Sequence, residues 1–225
     1  MNQSGECGPL RETYVTGENL DSVTAHHLEL IKSYNLREPE FDPAVSALIV
    51  VDMQRFFLEP GYPLYTANGA AILLRVKSLI QKFRKHGRPV IFAAQQNQGA
   101  IEDRGEALRL WWPVVPLQGS RQVQVSPELE PLPDEKIIPK RRYSAYFASD
   151  LELSLRSRGV RQVVVCGLFT NVCVEATVRD AFMRDFLVWL PADCTASLNE
   201  ELHLGALRTM AYWFAKVCRA ADFFV

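Results

Sequence analysis

The feature that most constrains the fold is a repeated alternation between short apolar runs and longer amphipathic segments. Between the first two runs, apolar residues recur at helical spacing from Ile72 to Phe83, and Gly87 follows them. Runs that are apolar throughout predict strands buried on both faces, and helices between them predict a parallel sheet covered on both sides. The runs are "ALIVVDM", "RPVIFAAQ", "KIIPK", "RQVVVCG", "FLVWLPAD" and "AKVCRAADFF". We therefore predict a three-layer α/β/α fold, Rossmann-like, with a mostly parallel sheet of about six strands.

The length of the chain limits the number of domains. A chain of 225 residues can bury one sizeable core and does not require two. Residues 1–43 are polar with scattered apolar positions, and the regular pattern begins only after them. We predict an N-terminal arm over residues 1–43 and a single α/β domain over residues 44–225.

Composition and charge exclude several classes of partner. The formal net charge is −1, and no long basic or acidic run stands out, so neither nucleic acid nor an anionic membrane has electrostatic support as a partner. No apolar stretch is long enough for a membrane span, and the start "MNQSGECGPLRETY" lacks the apolar core of a signal peptide. We expect a cytoplasmic protein with a small-molecule substrate, assembled as a homo-oligomer, either a dimer or a tetramer.

The cysteines do not suggest a structural framework. There are five of them, an odd number, and no two form a CxxC pair, which argues against disulfides and against a zinc site of that spacing. Cys166 and Cys218 sit in apolar runs and are expected to be buried packing residues, whereas Cys7 lies in the polar leader. Cys173 and Cys194 follow strands and therefore need a separate explanation.

Chemically distinct side chains follow the predicted strands. Asp52 follows the first strand, Lys140 ends the third, and the turn "GLFTNVC" follows the fourth and leads to Cys173. In parallel sheets, ligands bind beyond the carboxyl ends of the strands. A carboxylate, an ammonium group and a thiol are therefore expected to converge at one edge of the sheet. Gln95 and Gln96 follow the second strand, and Asp193 and Cys194 the fifth.

These residue types together indicate a cysteine hydrolase. A helix N-terminus favours the thiolate form of Cys173, which is the nucleophilic form. None of the histidines is placed to accept the thiol proton, so Asp52 is the available base, and Lys140 can hold it ionised. Backbone N–H groups of the turn can stabilise an oxyanion beside the sulfur. Each residue alone also fits a purely structural role, and spacing by itself leaves both interpretations open.

Three blocks resemble the isochorismatase-like cysteine hydrolase superfamily, and they decide between these interpretations. They are "SALIVVDMQRFF", "PKRRYSAYF" and "CGLFTNVCVEATVRDAF", in the order that the superfamily has them. The resemblance implies a catalytic triad of Asp52, Lys140 and Cys173. It also implies a cis peptide between Leu168 and Phe169, with the amides of Phe169 and Cys173 as the oxyanion hole.

The blocks are most similar to ureidoacrylate-type amidohydrolases. Nicotinamidases of this superfamily have a metal site with several histidines after the second strand, but here "AAQQNQGAIEDRGEALRLWW" contains none. We therefore expect neither a metal nor any other cofactor. Isochorismatases have glycine where this chain has Cys173, so the thiol favours acyl transfer.

We predict metal-independent cleavage of a C–N bond in a small amide, ureido or carbamoyl substrate, through a thioester on Cys173. One alternative is an isochorismatase that hydrolyses a vinyl ether with Asp52 as the acid, since "EDRGEALRLWW" and "DAFMRDF" are also similar to isochorismatase sequence. Another is an idle binding or oligomerisation module on the same fold, which rapid, selective trapping of Cys173 by an electrophile would exclude. Either Trp111 or Trp112 is a candidate for the pocket wall. The candidate substrate contacts are Gln54, Gln96, Asn97, Tyr143 and Thr170.

Overall fold

The computed structural model describes residues 11–99 and 101–224, with the side chains of residues 101 and 102 left out. Within these residues, seven strands form one sheet in the order β3-β2-β1-β4-β5-β7, and the short β6 pairs with β4. All of these strand pairings are parallel, as predicted. The strands are β1 Ser46–Val51, β2 Val90–Gln95, β3 Lys136–Lys140, β4 Gln162–Leu168, β5 Leu187–Pro191, β6 Thr195–Ala196 and β7 Lys216–Cys218.

Helices cover both faces of the sheet and complete the predicted three layers. The helix α4 is interrupted at Gly105, whose φ of 67° is not helical. A π-helical turn, Thr170–Val174, joins β4 to the following helix. The helices are α1 Leu20–Ile31, α2 Arg55–Leu58, α3 Ala67–Lys85, α4 Ile101–Trp111, α5 Leu151–Arg156, α6 Glu175–Phe182 and α7 Glu200–Trp213. Among the described residues, no helix combines the length and the apolar character needed to cross a membrane.

The core consists of two apolar clusters, one on each face of the sheet. Successive residues of β1 point to opposite faces, so Leu48 and Val50 pack in one cluster and Ile49 in the other. Apolar residues of α3 such as Val76 complete the first cluster, and residues of α5, α6 and α7 such as Leu207 complete the second. Burial on both faces explains why the strand sequences are apolar throughout rather than alternating.

The segment before the sheet packs closely against it where it is described. Leu20 and Ile31, on α1, are buried in the two clusters. The Asn68 side chain on α3 donates to the carbonyl of Glu12 (2.7 Å) and accepts from the N–H of Tyr14 (3.1 Å). The first ten residues of the predicted arm, with Cys7, lie outside the described residues, and the division between residues 43 and 44 stays a prediction.

The strand order reverses at β1, because β2 lies on one side of it and β4 on the other. Chain connections therefore leave β1 and β4 in opposite directions, which opens a crevice beyond their carboxyl ends. Asp52 follows β1, and the turn that carries Cys173 follows β4. The topology thus places two of the predicted catalytic residues at the usual ligand-binding position of such a sheet.

The two central strands approach each other too closely at this edge for any side chain on Gly167. Its φ is +112°, and a Cβ atom built there would lie 2.0 Å from the carbonyl oxygen of Val51. Only glycine accepts this backbone region without strain. Gly167 is therefore required for the ends of β1 and β4 to meet.

We expect the Gly167→Ala substitution to lower the free energy of unfolding by at least about 3 kcal/mol, because backbone strain and the clash with Val51 act together. Gly205→Ala, in α7, is the matched control, since an added Cβ there meets nothing within 4 Å. It should raise stability by about 0.5–1 kcal/mol, as expected for replacing a helical glycine. Urea unfolding of both variants measures the difference. Equal stabilities of the two variants would contradict the close approach of Gly167 to Val51.

Candidate active site

Asp52 is held in a strained backbone conformation directly after β1. Its φ is +54°, in the left-handed region that non-glycine residues rarely adopt, and such residues often occur at functional sites. Its backbone N–H donates to the carbonyl of Ala93 (2.8 Å), and its Oδ1 accepts from the N–H of Gln95 (3.0 Å). Both partners belong to β2, so the neighbouring strand fixes the direction of the carboxylate.

Lys140, the last residue of β3, forms a fully buried ion pair with Asp52. The distance from Lys140 Nζ to Asp52 Oδ2 is 2.8 Å, and the two side chains are 0% and 1% exposed. The same ammonium group donates to Gln95 Oε1 (2.9 Å) and to the carbonyl of Arg142 (3.2 Å). A buried charge pair is tolerated only when further hydrogen bonds satisfy it, and these contacts do so.

Cys173 lies in the π-helical turn, and its thiol contacts both members of this pair. The side chain is fully buried. The carbonyl of Cys173 accepts from the Thr177 hydroxyl (2.7 Å), and that hydroxyl in turn accepts from the N–H of Ala145 (3.1 Å). The cis peptide implied for Leu168–Phe169 is present immediately before the turn. The structure therefore brings together a thiol, a carboxylate and an ammonium group from three strand ends.

Burial is the largest single influence on the pKa of each of the three groups, and for two of them it sets the direction of the shift. It raises the pKa of Cys173, while Lys140 acts to lower it and Asp52 to raise it further. It also raises the pKa of Asp52, and Lys140 opposes this effect. For Lys140, burial lowers the pKa, but the anionic partners outweigh it and the pKa is raised. Burial thus overrides the lowering of the thiol pKa expected from the helix N-terminus.

The charge of Lys140 fixes the orientation of two neighbouring amides. Because Gln95 Oε1 accepts from the ammonium group, Gln95 Nε2 is left as a donor, and it donates to Asn97 Oδ1 (2.8 Å). The other end of the Asn97 amide, Nδ2, is then a donor. It is buried, and none of the described residues accepts from it. This arrangement presents an unused N–H group beside the polar cluster.

The chain is similar to known proteins in sequence and in fold. The profile of the isochorismatase domain family matches residues 46–222. The chain is 33% identical to nicotinamidase 3 of Arabidopsis thaliana over 187 residues, which cover 82% of this chain and 89% of the relative. It is 31% identical to the ureidoacrylate amidohydrolase RutB of Caulobacter vibrioides over 204 residues, covering 81% and 91%.

A solved cysteine hydrolase from Pseudomonas syringae pv. phaseolicola superimposes on the chain with a TM-score of 0.78. The two are 32% identical, and the match covers 83% of this chain and 93% of that one. The protein belongs to the isochorismatase-like hydrolase family.

Aromatic side chains of this isochorismatase-like hydrolase line the neighbourhood of the thiol. Tyr143 is half-buried; burial raises its pKa, and the nearby Cys173 raises it further. The Tyr143 ring contacts Trp112 edge-on, with centroids 5.6 Å apart, and Phe57 packs against Phe169 in the same way at 5.5 Å. Trp112 is buried, whereas Trp111 is 71% exposed. Of the two tryptophans, Trp112 is therefore the one beside the site.

The predicted substrate contacts occupy different environments. The Gln54 amide is already engaged by backbone groups of Gln95 and Val123. The Thr170 hydroxyl contacts Thr195 and His203.

Three of the predicted substrate contacts suit a ligand better. Asn97 has an unused donor, and Tyr143 and Gln96 are half-buried. All five assignments stay predictions.

Two residues of the isochorismatase-like site were not singled out as site residues from sequence. Gln95 links Lys140 to Asn97, and its place at the end of β2 was the available signal. Thr177 links the turn of Cys173 to the segment after Lys140. A threonine inside a predicted helix carries no comparable signal, because its partner lies 32 residues away in the chain.

The electrostatic assignment predicts opposite shifts for two variants in the pH dependence of Cys173 alkylation. Lys140→Met removes the cation that lowers the thiol pKa, so alkylation by iodoacetamide should begin at higher pH than in the wild type. Asp52→Asn removes an anion that raises the thiol pKa, so the profile should move to lower pH. The rate of alkylation against pH, followed by mass spectrometry, gives both shifts. Shifts in the same direction would contradict the assignment.

Proposed function

We propose that the protein is a cysteine amidohydrolase that cleaves a C–N bond of a small amide, ureido or carbamoyl substrate through a thioester on Cys173. The observation that carries this proposal is the contact of the Cys173 thiol with the buried Asp52–Lys140 pair. Relatives named as a ureidoacrylate amidohydrolase and a nicotinamidase act on bonds of this class.

The mechanism follows from the contacts among Asp52, Lys140 and Cys173. Asp52 takes the thiol proton as the sulfur attacks the carbonyl carbon, and the amides of Phe169 and Cys173 stabilise the oxyanion. Asp52 then gives the proton to the departing nitrogen, which leaves as an amine or ammonia. Water attacks the thioester with Asp52 again as the base, and the thiol is restored with release of the acid. Lys140 favours the ionised form of Asp52 before each proton transfer to it and orients the carboxyl group throughout.

A second candidate is hydrolysis of a vinyl ether, as in isochorismatases. It is favoured by the direction of the Asp52 pKa, which burial raises, because a higher pKa makes it easier for this carboxyl group to carry the proton that a vinyl ether needs. In that chemistry the thiol has no role. The two candidates therefore differ in whether activity needs Cys173.

The Cys173→Ala variant should retain less than about a hundredth of the wild-type rate on amides, because the nucleophile is removed. Ammonia release from ureidoacrylate, N-carbamoyl amino acids and nicotinamide, together with isochorismate cleavage, measures activity. Cys166→Ala is the matched control, since this thiol is equally buried on β4 and should not affect chemistry directly. A mass increase on Cys173 with a poor substrate would identify the thioester. Full isochorismate cleavage by Cys173→Ala, without amide turnover in the wild type, would favour the second candidate.

We also propose that the reaction needs no metal. The groups available as ligands at the end of β2 include the amides of Gln95 and Asn97, and the Gln95 oxygen already accepts from Lys140. The stretch from residue 95 to 112 has no histidine, the usual ligand of catalytic zinc. Among the described residues, no three acidic, histidine or cysteine side chains are grouped to hold a metal ion.

Activity on the best substrate of the panel should therefore survive prolonged incubation with a chelator and removal of the chelated metal. The expected rate is unchanged, since the proposed nucleophile and base are both side chains. Elemental analysis of the purified protein should give no stoichiometric transition metal. Loss of activity that returns when zinc or iron is added would contradict the proposal.

Assembly and location stay predictions. A homo-oligomer is supported by exposed apolar side chains near the ends of α6 and α7, where Phe182, Met183 and Trp213 are 47%, 76% and 61% exposed. Apolar surface of this kind is typical of interaction sites when it is contiguous. The prediction of a cytoplasmic location rests on the sequence argument alone.

A further inference from the structure

A buried chain of hydroxyl and imidazole groups lies behind the turn that follows β4. Thr170, the residue after Phe169, has its hydroxyl 2.9 Å from His203 Nδ1 and 3.0 Å from Thr195 Oγ1. The Thr195 hydroxyl donates to the carbonyl of Gly167 (2.9 Å). All three side chains are at most 2% exposed. The proposed mechanism uses none of these contacts.

The direction of each hydrogen bond follows from the number of protons available. A hydroxyl group has a single proton to donate. The Thr195 proton goes to the Gly167 carbonyl, so the contact between the two threonines requires Thr170 to donate to Thr195. Thr170 then has only lone pairs for His203, and Nδ1 of His203 must be the donor. All three contacts are satisfied only when the chain runs from His203 through Thr170 and Thr195 to Gly167.

His203 is suited to this role because it is fixed and neutral. Burial lowers its pKa to about 3, with a further contribution from His27, so at neutral pH it has one N–H to donate. The rings of His27 and Tyr14 pack against it, with centroids 5.1 Å and 5.4 Å away. His27 is itself held by Glu200 through a 2.8 Å contact.

This chain of hydrogen bonds fixes the backbone on both sides of Leu168 and Phe169. On one side Thr195, from β6, holds the Gly167 carbonyl, and on the other side His203, from α7, holds Thr170. The next residue, Asn171, accepts from the Ser197 hydroxyl. The direction of the Phe169 N–H, which the proposed mechanism aims at the oxyanion, therefore depends on side chains from β6 and α7.

We propose that His203 and Thr195 are positioning residues for the oxyanion hole and that they act through Thr170. The Thr170 hydroxyl then takes part in this chain of hydrogen bonds and does not bind the substrate. This inference rests on the proposed function. The inference has a selective consequence. Reactions of Cys173 that form an oxyanion depend on this chain of hydrogen bonds, whereas reactions of the thiol without an oxyanion do not depend on it.

Two reagents separate these cases without the natural substrate. Acylation of Cys173 by p-nitrophenyl acetate passes through a tetrahedral oxyanion, whereas alkylation by iodoacetamide is a direct displacement at carbon. In His203→Gln and Thr195→Val, acylation should slow by about tenfold or more while alkylation changes by less than about twofold, given the losses typical of a damaged oxyanion hole. In His203→Asn, whose amide reaches the position of Nδ1, and in Thr195→Ser, acylation should stay near the wild-type rate.

Met210→Ala is the control for loss of stability, because Met210 is a fully buried apolar residue of α7. It should lower the melting temperature and leave the ratio of acylation to alkylation unchanged. Equal ratios in His203→Gln, His203→Asn and the wild type would overturn the inference and leave the proposed function intact. A wild-type Cys173 that alkylates but does not acylate would overturn the proposed function, and the inference with it. His203→Asn with the defect of His203→Gln would also overturn the inference, since the donor at Nδ1 would not matter.

Discussion

The buried ion pair between Asp52 and Lys140 is the interaction on which the rest of the site depends. Removing two charges from water is costly, and their mutual attraction offsets this cost only when the remaining hydrogen-bonding groups are satisfied. Gln95 supplies a hydrogen bond to each member of the pair, because its backbone N–H donates to Asp52 and its side-chain oxygen accepts from Lys140. The same contact sets the Asn97 amide with its donor unused. One electrostatic constraint thus determines the orientation of two uncharged amides, those of Gln95 and Asn97.

The ion pair is possible because the backbone brings distant segments to one point. Reversal of the strand order at β1 opens the crevice, and Gly167 lets the end of β4 approach β1 where any other residue would clash with Val51. Asp52 turns out of its strand through a left-handed conformation. Strain at both positions is tolerated because completely buried strands hold the chain on either side. The stability of the sheet therefore supports a geometry that the local sequence would not adopt alone.

The sequence predicts the strands, which depend on apolar periodicity, and the candidate catalytic residues, which lie at strand ends. The apolar runs place β1 to β5 and β7, and the residues that follow them include Asp52, Lys140 and Cys173. The two-residue β6 has no pattern long enough to detect, and the partners of Thr170 come from β6 and α7, 25 and 33 residues away. Small polar side chains suit turns, caps and surfaces equally well. Their roles are set by tertiary contacts, which neither periodicity nor composition encodes.

Burial shifts the pKa of the Cys173 thiol in the direction opposite to the one expected from its position in the chain. A helix N-terminus is expected to favour the thiolate, yet burial raises the pKa of Cys173. It raises the pKa of Asp52 as well, and Lys140 acts to lower both. The free energy of proton transfer depends on the difference between the two pKa values and not on either one alone. A site that shifts donor and acceptor in the same direction can keep its thiol protonated at rest and still transfer the proton to Asp52 when a carbonyl arrives. Burial thus acts on the proton donor and the proton acceptor together, and Lys140 acts on both in the opposite direction.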